Sequence, residues 1–200
     1  VYGSVEQGSS TEGDRLEPRS PYSASKAGGD LLVLSYWTTY RFPVVITRGS
    51  NTYGPNQYPE KFIPLFATNA IDGEPLPLYG DGKQYRDWLS VYDHAAGIQH
   101  GFEQGEPGTV YNVGGGNERE NITVAEQIVA ALGKSRSLIR LVQDRPGQDR
   151  RYSIDCGWLR APGRSPQGPF EERRTPVSCT NPTQPPSDIV KKSAVAETLE

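Results

Sequence analysis

The chain has 200 residues, a net charge of −3, 2 cysteines and no methionine. That length suits one medium domain or a piece of a larger protein. The charge leaves no basic footprint for nucleic acid, and no apolar run approaches the roughly 20 residues that span a bilayer. Cys156 and Cys179 are too isolated for a disulfide framework or a zinc site, so no metal is expected and a reducing cytoplasm fits best. A chain that opens at Val1, with no methionine anywhere and no basic-then-apolar leader, is expected to be a non-secreted fragment of a longer protein.

"VYGSVEQG" reads as a strand running into a polar loop. From about Pro21 to Phe42 the apolar positions Ala24, Ala27, Leu31, Leu34 and Trp37 or Thr38 follow a helical spacing, with Ser20 as N-cap and Pro21 at the first helical position. Pro43 ends that helix, and "VVIT" suits a buried parallel strand. "KFIPLFATNAIDG" predicts a second helix closed by Gly73, and "PLPLYGDGKQYRDWLSV" two short strands around a Gly-Asp-Gly turn. "YDHAAGIQHGFEQG" is a third helix and "TVYNVGG" a strand after it, with Gly114 to Gly116 read as a flexible turn. Thr123 and Glu126 are expected to form a capping box for the helix "VAEQIVAALG", and "SLIRLVQ" a last strand. Alternating strands and helices predict an α/β protein with a largely parallel sheet. From Ala161 onward Pro, Ser, Thr and Gln dominate, and the composition predicts disorder.

Chemistry concentrates first in "SPYSASKAGGD". Tyr22 and Lys26 stand four apart, which on a helix places them on one face. An ammonium there favours the phenolate of its neighbour, and a phenolate can take the proton of an alcohol while hydride leaves the same carbon. No side chain accepts hydride, so the pair implies a nicotinamide cofactor. The spacing alone is weak, because Tyr79 and Lys83 repeat it in a turn; a solvated helix face is the bland alternative. Arg86 and Arg145 offer guanidinium forks to a diphosphate, although a surface ion pair is an arginine's commoner role. Asn121 opens "NIT", where a helix-capping environment is a better explanation than glycosylation. His94 and Asp93 are read as serving their own helix.

Taken together, "VYG…PYSASKAGGD", "RGSNTYGPNQYPEKFIP", "PLYGDGKQYRDWLSVYDHA", "YNVGGGNERENITV" and "DRPGQDRRYSID" resemble the bacterial dTDP-glucose 4,6-dehydratases. These are extended short-chain dehydrogenase/reductase enzymes, and the resemblance covers about residues 1 to 160. It implies an NAD-binding Rossmann-type fold with a nucleotide-sugar-binding part and an incomplete parallel sheet. On this division 1–55 is a Rossmann remnant carrying the Tyr-Lys helix, 56–160 mainly the nucleotide-sugar part with segments returning to the sheet, and 161–200 an aberrant tail.

The reaction implied is an NAD-dependent lyase reaction on dTDP-glucose. C4 is oxidised, water leaves across C5 and C6, and C6 is reduced, giving dTDP-4-keto-6-deoxyglucose. The resemblance makes Tyr22 the base at the C4 hydroxyl and Lys26 the group that holds the nicotinamide ribose, with Thr52 beside the cofactor. Asn51, Lys61, Phe62, Pro77, Leu78, Tyr79, Arg86, Asn121, Asp144, Arg145, Pro146, Gly147 and Gln148 would line the substrate site. It further implies a homodimer built on two helices per subunit, one of them the Tyr22–Lys26 helix. A sister nucleotide-sugar epimerase or decarboxylase is the enzyme alternative, disfavoured by "DRPGQDRRY"; a non-catalytic nucleotide-sugar-binding remnant is the other.

Three departures from the family pattern qualify the expectation. The family's Ser-Thr-Asp-Glu before "VYG", with its elimination catalysts, and the upstream glycine-rich loop are not in this chain, so it is expected to be inactive alone and marginal in stability. Gln148 replaces the usual histidine and cannot become cationic beside a phosphate, which predicts weaker substrate binding. The apolar end of the family is replaced by "APGRSPQGPFEERRT" and an unrelated tail.

Overall fold

A computed structural model describes residues 1–157. The expectations for 161–200, and Cys179, lie outside the described residues. In chain order the elements are α1 (Pro21–Tyr40), β1 (Val45–Gly49), β2 (Asn51–Tyr53), α2 (Phe62–Asp72), β3 (Leu76–Tyr79), β4 (Tyr85–Ser90), α3 (Val91–Gln104), β5 (Thr109–Val113), β6 (Glu118–Glu120), α4 (Asn121–Ala131) and β7 (Ile139–Val142). The fold is α/β with parallel strand pairs. No described helix is long and apolar enough to cross a membrane. The chain divides into two compact units: the first takes Val1–Thr52, Tyr85–Glu118 and the segment from Pro146, the second Tyr53–Gln84 and Arg119–Arg145.

In the first unit α1 starts where the residues dictate. The Ser20 side chain accepts from the Ser23 backbone N–H, the Ser23 side chain reaches back to the Ser20 N–H, and Pro21 follows at the first position. The inward stripe of α1 differs from the expected one: Ala27, Asp30, Leu34 and Trp37 turn inward, whereas Ala24 and Leu31 are exposed. The reason is electrostatic as well as apolar, because Asp30 faces Arg48 on β1, with Nε donating to Oδ2 at 2.7 Å. β1 pairs in parallel with β5, from Val45 opposite Thr109 to Gly49 opposite Val113. Helix α3 presents its buried Gly97 and Gly101 to this pair. Leu89, Val113 and Cys156, with Ile154 beside them, form a core cluster.

Two expectations for this unit are corrected. Val1 to Gly3 is not a strand; its neighbours are loops, with Glu17 N–H donating to the Val1 carbonyl and Val5 N–H to the Arg151 carbonyl. The Gly114–Gly116 turn is tightly packed rather than flexible. A Cβ on Gly114 would lie 2.7 Å from both Asp87 Oδ2 and Cys156 Sγ, and one on Gly115 would strike the Trp88 carbonyl. Buried Asp87 fastens the turn, accepting from the Gly115 and Asn117 N–H groups at 2.8 and 2.7 Å.

The second unit is a parallel β3–β7 pair, Leu76 opposite Ile139 to Tyr79 opposite Val142, packed against α2 and α4. Its core is Phe66, Ala70, Leu76, Leu78, Ala125 and Val129. Pro64 lies in the first turn of α2, where a missing N–H costs nothing, and the helix stops at Gly73 as its sequence predicts. The expected Thr123–Glu126 capping box is absent. α4 starts three residues earlier, at Asn121, with Glu120 as a cap whose side chain makes no cap bond. The Asn121 N–H instead donates to the Gln84 carbonyl at 3.0 Å, so a contact distant in sequence sets the helix start.

Candidate active site

Tyr22 and Lys26 lie in the first two turns of α1, and both are exposed, Tyr22 to 73 %. Lys26 Nζ stands 5.8 Å from the centroid of the Tyr22 ring. Phenol and ammonium thus share one accessible face, the arrangement that proton abstraction from an alcohol beside a bound dinucleotide requires. The repeated spacing at Tyr79 and Lys83 has no such geometry, since the Tyr79 hydroxyl accepts from Arg145 Nη2 at 2.9 Å.

The helix carrying the pair is anchored two turns further on. Arg48 pairs with Asp30, donates from Nη1 to the Tyr2 hydroxyl at 2.6 Å, and lies 4.8 Å over the Tyr2 ring. The Tyr2 hydroxyl in turn donates to Asn112 Oδ1 at 2.8 Å. Burial pushes that hydroxyl up from its ordinary pKa, against the opposing pull of Arg48.

Asn51 and Thr52 lie on β2. Thr52 Oγ1 is 2.7 Å from His94 Nδ1, and the far edge of that ring lies against Gly49. His94 therefore packs on β1 and Thr52 rather than only on its own helix. Its burial holds the imidazole below the usual histidine range and so keeps it neutral near pH 7.

Arg86 is buried on β4. It donates to the Tyr85 and Asp149 carbonyls at 2.6 and 2.8 Å and stands 4.7 Å over the ring of Tyr152. Burial pushes the Tyr152 hydroxyl up to about 12, against the pull of the Arg86 guanidinium. Two carbonyls and a ring leave part of the five-donor fork for another acceptor. Pro146 is exposed and Gln148 half-buried; Gly147 between them approaches the Arg19 carbonyl.

In the second unit Lys61 caps α2 without a side-chain cap bond and pairs with Glu60 at 2.9 Å. Phe62 stacks on Phe66 at 4.2 Å. On β3 the side chains alternate, so Leu78 is buried in the core and only its backbone is left for a ligand, whereas Pro77 and Tyr79 turn the other way. Arg145 stands 4.2 Å over the Tyr79 ring, and Asp144 Oδ1 accepts from the Arg145 backbone N–H at 2.8 Å. Asn121 is buried at the start of α4.

Within the first unit the structure thus joins Tyr22 to Lys26. Within the second it joins Tyr79, Asp144 and Arg145. Sequence reasoning missed Tyr152, the ring against Arg86, and Asp87, whose carboxylate holds the glycine turn. Both lie in quoted motifs, "DRRYSID" and "YRDWLS", but nothing in their spacing says which face they take. Among the described residues no group of three or more His, Cys, Asp or Glu is placed to hold a metal ion.

One further cluster makes the first unit pH-sensitive. Glu118 accepts from Arg151 Nε and Nη2 at 2.7 and 2.9 Å and from Ser153 Oγ at 2.6 Å. Burial opposes its charge, but these bonds hold its carboxyl below the usual range. A lowered carboxylate pKa gives stability that is present above about pH 4.3 and lost as pH falls through the folded-state value. Urea unfolding at neutral and acidic pH is expected to show this loss, and Glu118→Gln to flatten it. An unchanged slope in that variant would exclude Glu118 as its source.

The sequence model of the GDP-mannose 4,6 dehydratase family matches residues 1–161. The chain belongs to that family. Among curated relatives of this family member, the dTDP-glucose 4,6-dehydratase of an Actinoplanes species is 52% identical over 155 residues, covering 78% of this chain and 48% of its own length. The low-salt glycan biosynthesis protein Agl12 of Haloferax volcanii is 47% identical over 172 residues, covering 86% and 56%. The crystal structure of DesIV, a dTDP-glucose 4,6-dehydratase from Streptomyces venezuelae with NAD and TYD bound, superposes with a TM-score of 0.85 at 44% identity, covering 96% of this chain and 56% of DesIV. The chain spans about half the length of the curated relatives it matches.

Proposed function

We propose that this chain carries the redox pair and the nucleotide-sugar contacts of an NAD-dependent dTDP-glucose 4,6-dehydratase. The observation that carries the reading is the exposed Tyr22–Lys26 face in a chain 52% identical to such an enzyme. The residues fit a dinucleotide, since a phenol and an ammonium are accessible together on one helix face and Thr52 supplies a hydroxyl. NAD, when bound, supplies the hydride acceptor and donor that no side chain provides.

The remaining chemistry belongs to the chain. Tyr22 takes the proton of the C4 hydroxyl, and Lys26 holds ribose hydroxyls. In the first unit Asn51 and the uncommitted part of Arg86 bind the sugar nucleotide, with Pro146, Gly147 and Gln148 beside it. In the second unit Lys61, Phe62, Pro77, the Leu78 backbone, Tyr79, Asn121, Asp144 and Arg145 do so. A neutral Gln148 donates one hydrogen bond to an anion but adds no charge.

The working form is a homodimer in the cytoplasm. Support comes from α1 and α3, whose outer faces expose Leu31, Leu32, Tyr36, Ile98 and Phe102 to water, an apolar area that a second copy would cover. The buried Cys156 is compatible with a reducing compartment.

Calorimetric titration of the purified chain with dTDP and with dTDP-glucose tests the reading. Binding of both is expected, with UDP-glucose weaker. Failure to bind either nucleotide would overturn it. In a preparation that supports turnover, mass spectrometry separates a dehydratase, whose product lacks one water, from an epimerase, whose product keeps the substrate mass.

A further inference from the structure

We infer that Gln84 is the positioning residue for Arg145, and through it for the nucleotide sugar in the second unit. This rests on the proposed substrate class, but its geometry stands without it. Gln84 is only 1% exposed, lies between the Gly-Asp-Gly turn and β4, and has no place in the site expected from sequence. Its side-chain Nε2 donates to two oxygens, the Tyr79 carbonyl and Asp144 Oδ2, each at 3.1 Å. Both partners are pure acceptors when Asp144 is ionised, so the orientation of the amide is settled by chemistry. The Gln84 carbonyl accepts from the Asn121 N–H at 3.0 Å. One buried residue therefore touches the end of β3, the segment after β7 and the start of α4, which carry Tyr79, Asp144 with Arg145, and Asn121.

The consequence for Arg145 follows bond by bond. Asp144 Oδ2 is held by Gln84, and Oδ1 accepts from the Arg145 N–H at 2.8 Å, which sets the backbone direction at Arg145. From there the guanidinium lies over the Tyr79 ring at 4.2 Å and donates to its hydroxyl at 2.9 Å. The partner strand is fixed from the same side, because the Gly80 N–H donates to the Val142 carbonyl at 2.9 Å. Gly80 has φ +60°, and a Cβ there would lie 2.7 Å from Asp144 Oδ2 and 3.0 Å from Gln84 Nε2. Only glycine leaves room for this bond. The amide oxygen of Gln84 is buried without a hydrogen-bond partner among the described residues. An orphaned acceptor is unfavourable. Its retention is explained if the residue is needed for its NH₂ group, which a hydrocarbon of the same shape lacks.

The test uses the whole chain and a signal independent of ligand. Arg145 side-chain protons over the Tyr79 ring should resonate upfield, a shift assigned by its loss in Tyr79→Leu. Gln84→Met keeps the volume but removes the donor, and is expected to abolish most of that shift. Asp144→Ala, at an exposed position, breaks the same bond from its other end and should do likewise if Gln84→Met fails to fold. Val129→Ala, a core substitution in the same unit, should lower stability yet keep the shift. Persistence of the full shift in folded Gln84→Met or Asp144→Ala would overturn the inference. In parallel, dTDP affinity should fall about tenfold or more in Gln84→Met, as expected for a displaced guanidinium. A wild-type chain that binds no dTDP would refute the proposed substrate, while the shift would still decide the positioning role.

Discussion

Tyr22→Phe is expected to lower turnover of dTDP-glucose by about 10²–10⁴-fold, the range typical of a lost general base, in any preparation of this protein that supports the reaction. Nucleotide affinity and thermal stability should stay near wild type. The Tyr22 side chain is 73 % exposed, so removing one hydroxyl leaves no buried cavity and no orphaned partner in the core. Lys26→Met should also reduce the rate, since its ammonium stands 5.8 Å from the same ring, and should weaken NAD binding as well. A Tyr22→Phe variant that retained full kcat would show that α1 presents an ordinary surface pair. Tyr79→Phe provides the contrast, because its hydroxyl is engaged by Arg145, and its effect should fall on KM.

The second large effect is on stability. Phe66 is 2% exposed, stacks on Phe62 and meets Ala70, Leu76, Leu78, Ala125 and Val129 in the core of the second unit. Phe66→Ala should cost about 3–5 kcal/mol, the usual range for deleting a buried aromatic ring. That is a large share of the roughly 5–15 kcal/mol that holds a whole domain folded. In urea the variant should unfold at a clearly lower midpoint. In the dissociated monomer Phe102→Ala, at a side chain that is 87% exposed there, should change the unfolding free energy by no more than about 0.5 kcal/mol. Equal effects at the two phenylalanines would contradict the assignment of the core.

What could be read in advance followed from local chemistry. The Ser20-Pro21 start of α1, the Gly73 stop of α2 and the parallel strand at "VVIT" depend on neighbours within a few residues, and they are where the residues predict. The Tyr-Lys pair was legible for the same reason, because four residues of helix suffice to place both side chains. Errors arose where a distant partner decides. Asp30 turns inward for Arg48; α4 starts at Asn121 because Gln84 receives its N–H; Gly114 is packed by Cys156 and Asp87. Tyr152 and Gln84 escaped notice for that reason too. Each acts through groups tens of residues away, such as Arg86 for one and Asp144 for the other. Local periodicity holds no record of such pairs.

The first unit also constrains how the chain can be made. Its opening residues are fastened to its last described ones: Val5 N–H donates to the Arg151 carbonyl, Ser10 bridges Ile154, and Arg151 donates to the Gly8 carbonyl. The second unit, by contrast, has all its described segments by Arg145. During synthesis from the N-terminus, the later-starting unit can therefore close first. The earlier one must wait for residues beyond 150, with its apolar strands β1 and β5 exposed meanwhile. Contacts this distant in sequence make closure slow, and the waiting segment is the part of the nascent chain most in need of a chaperone.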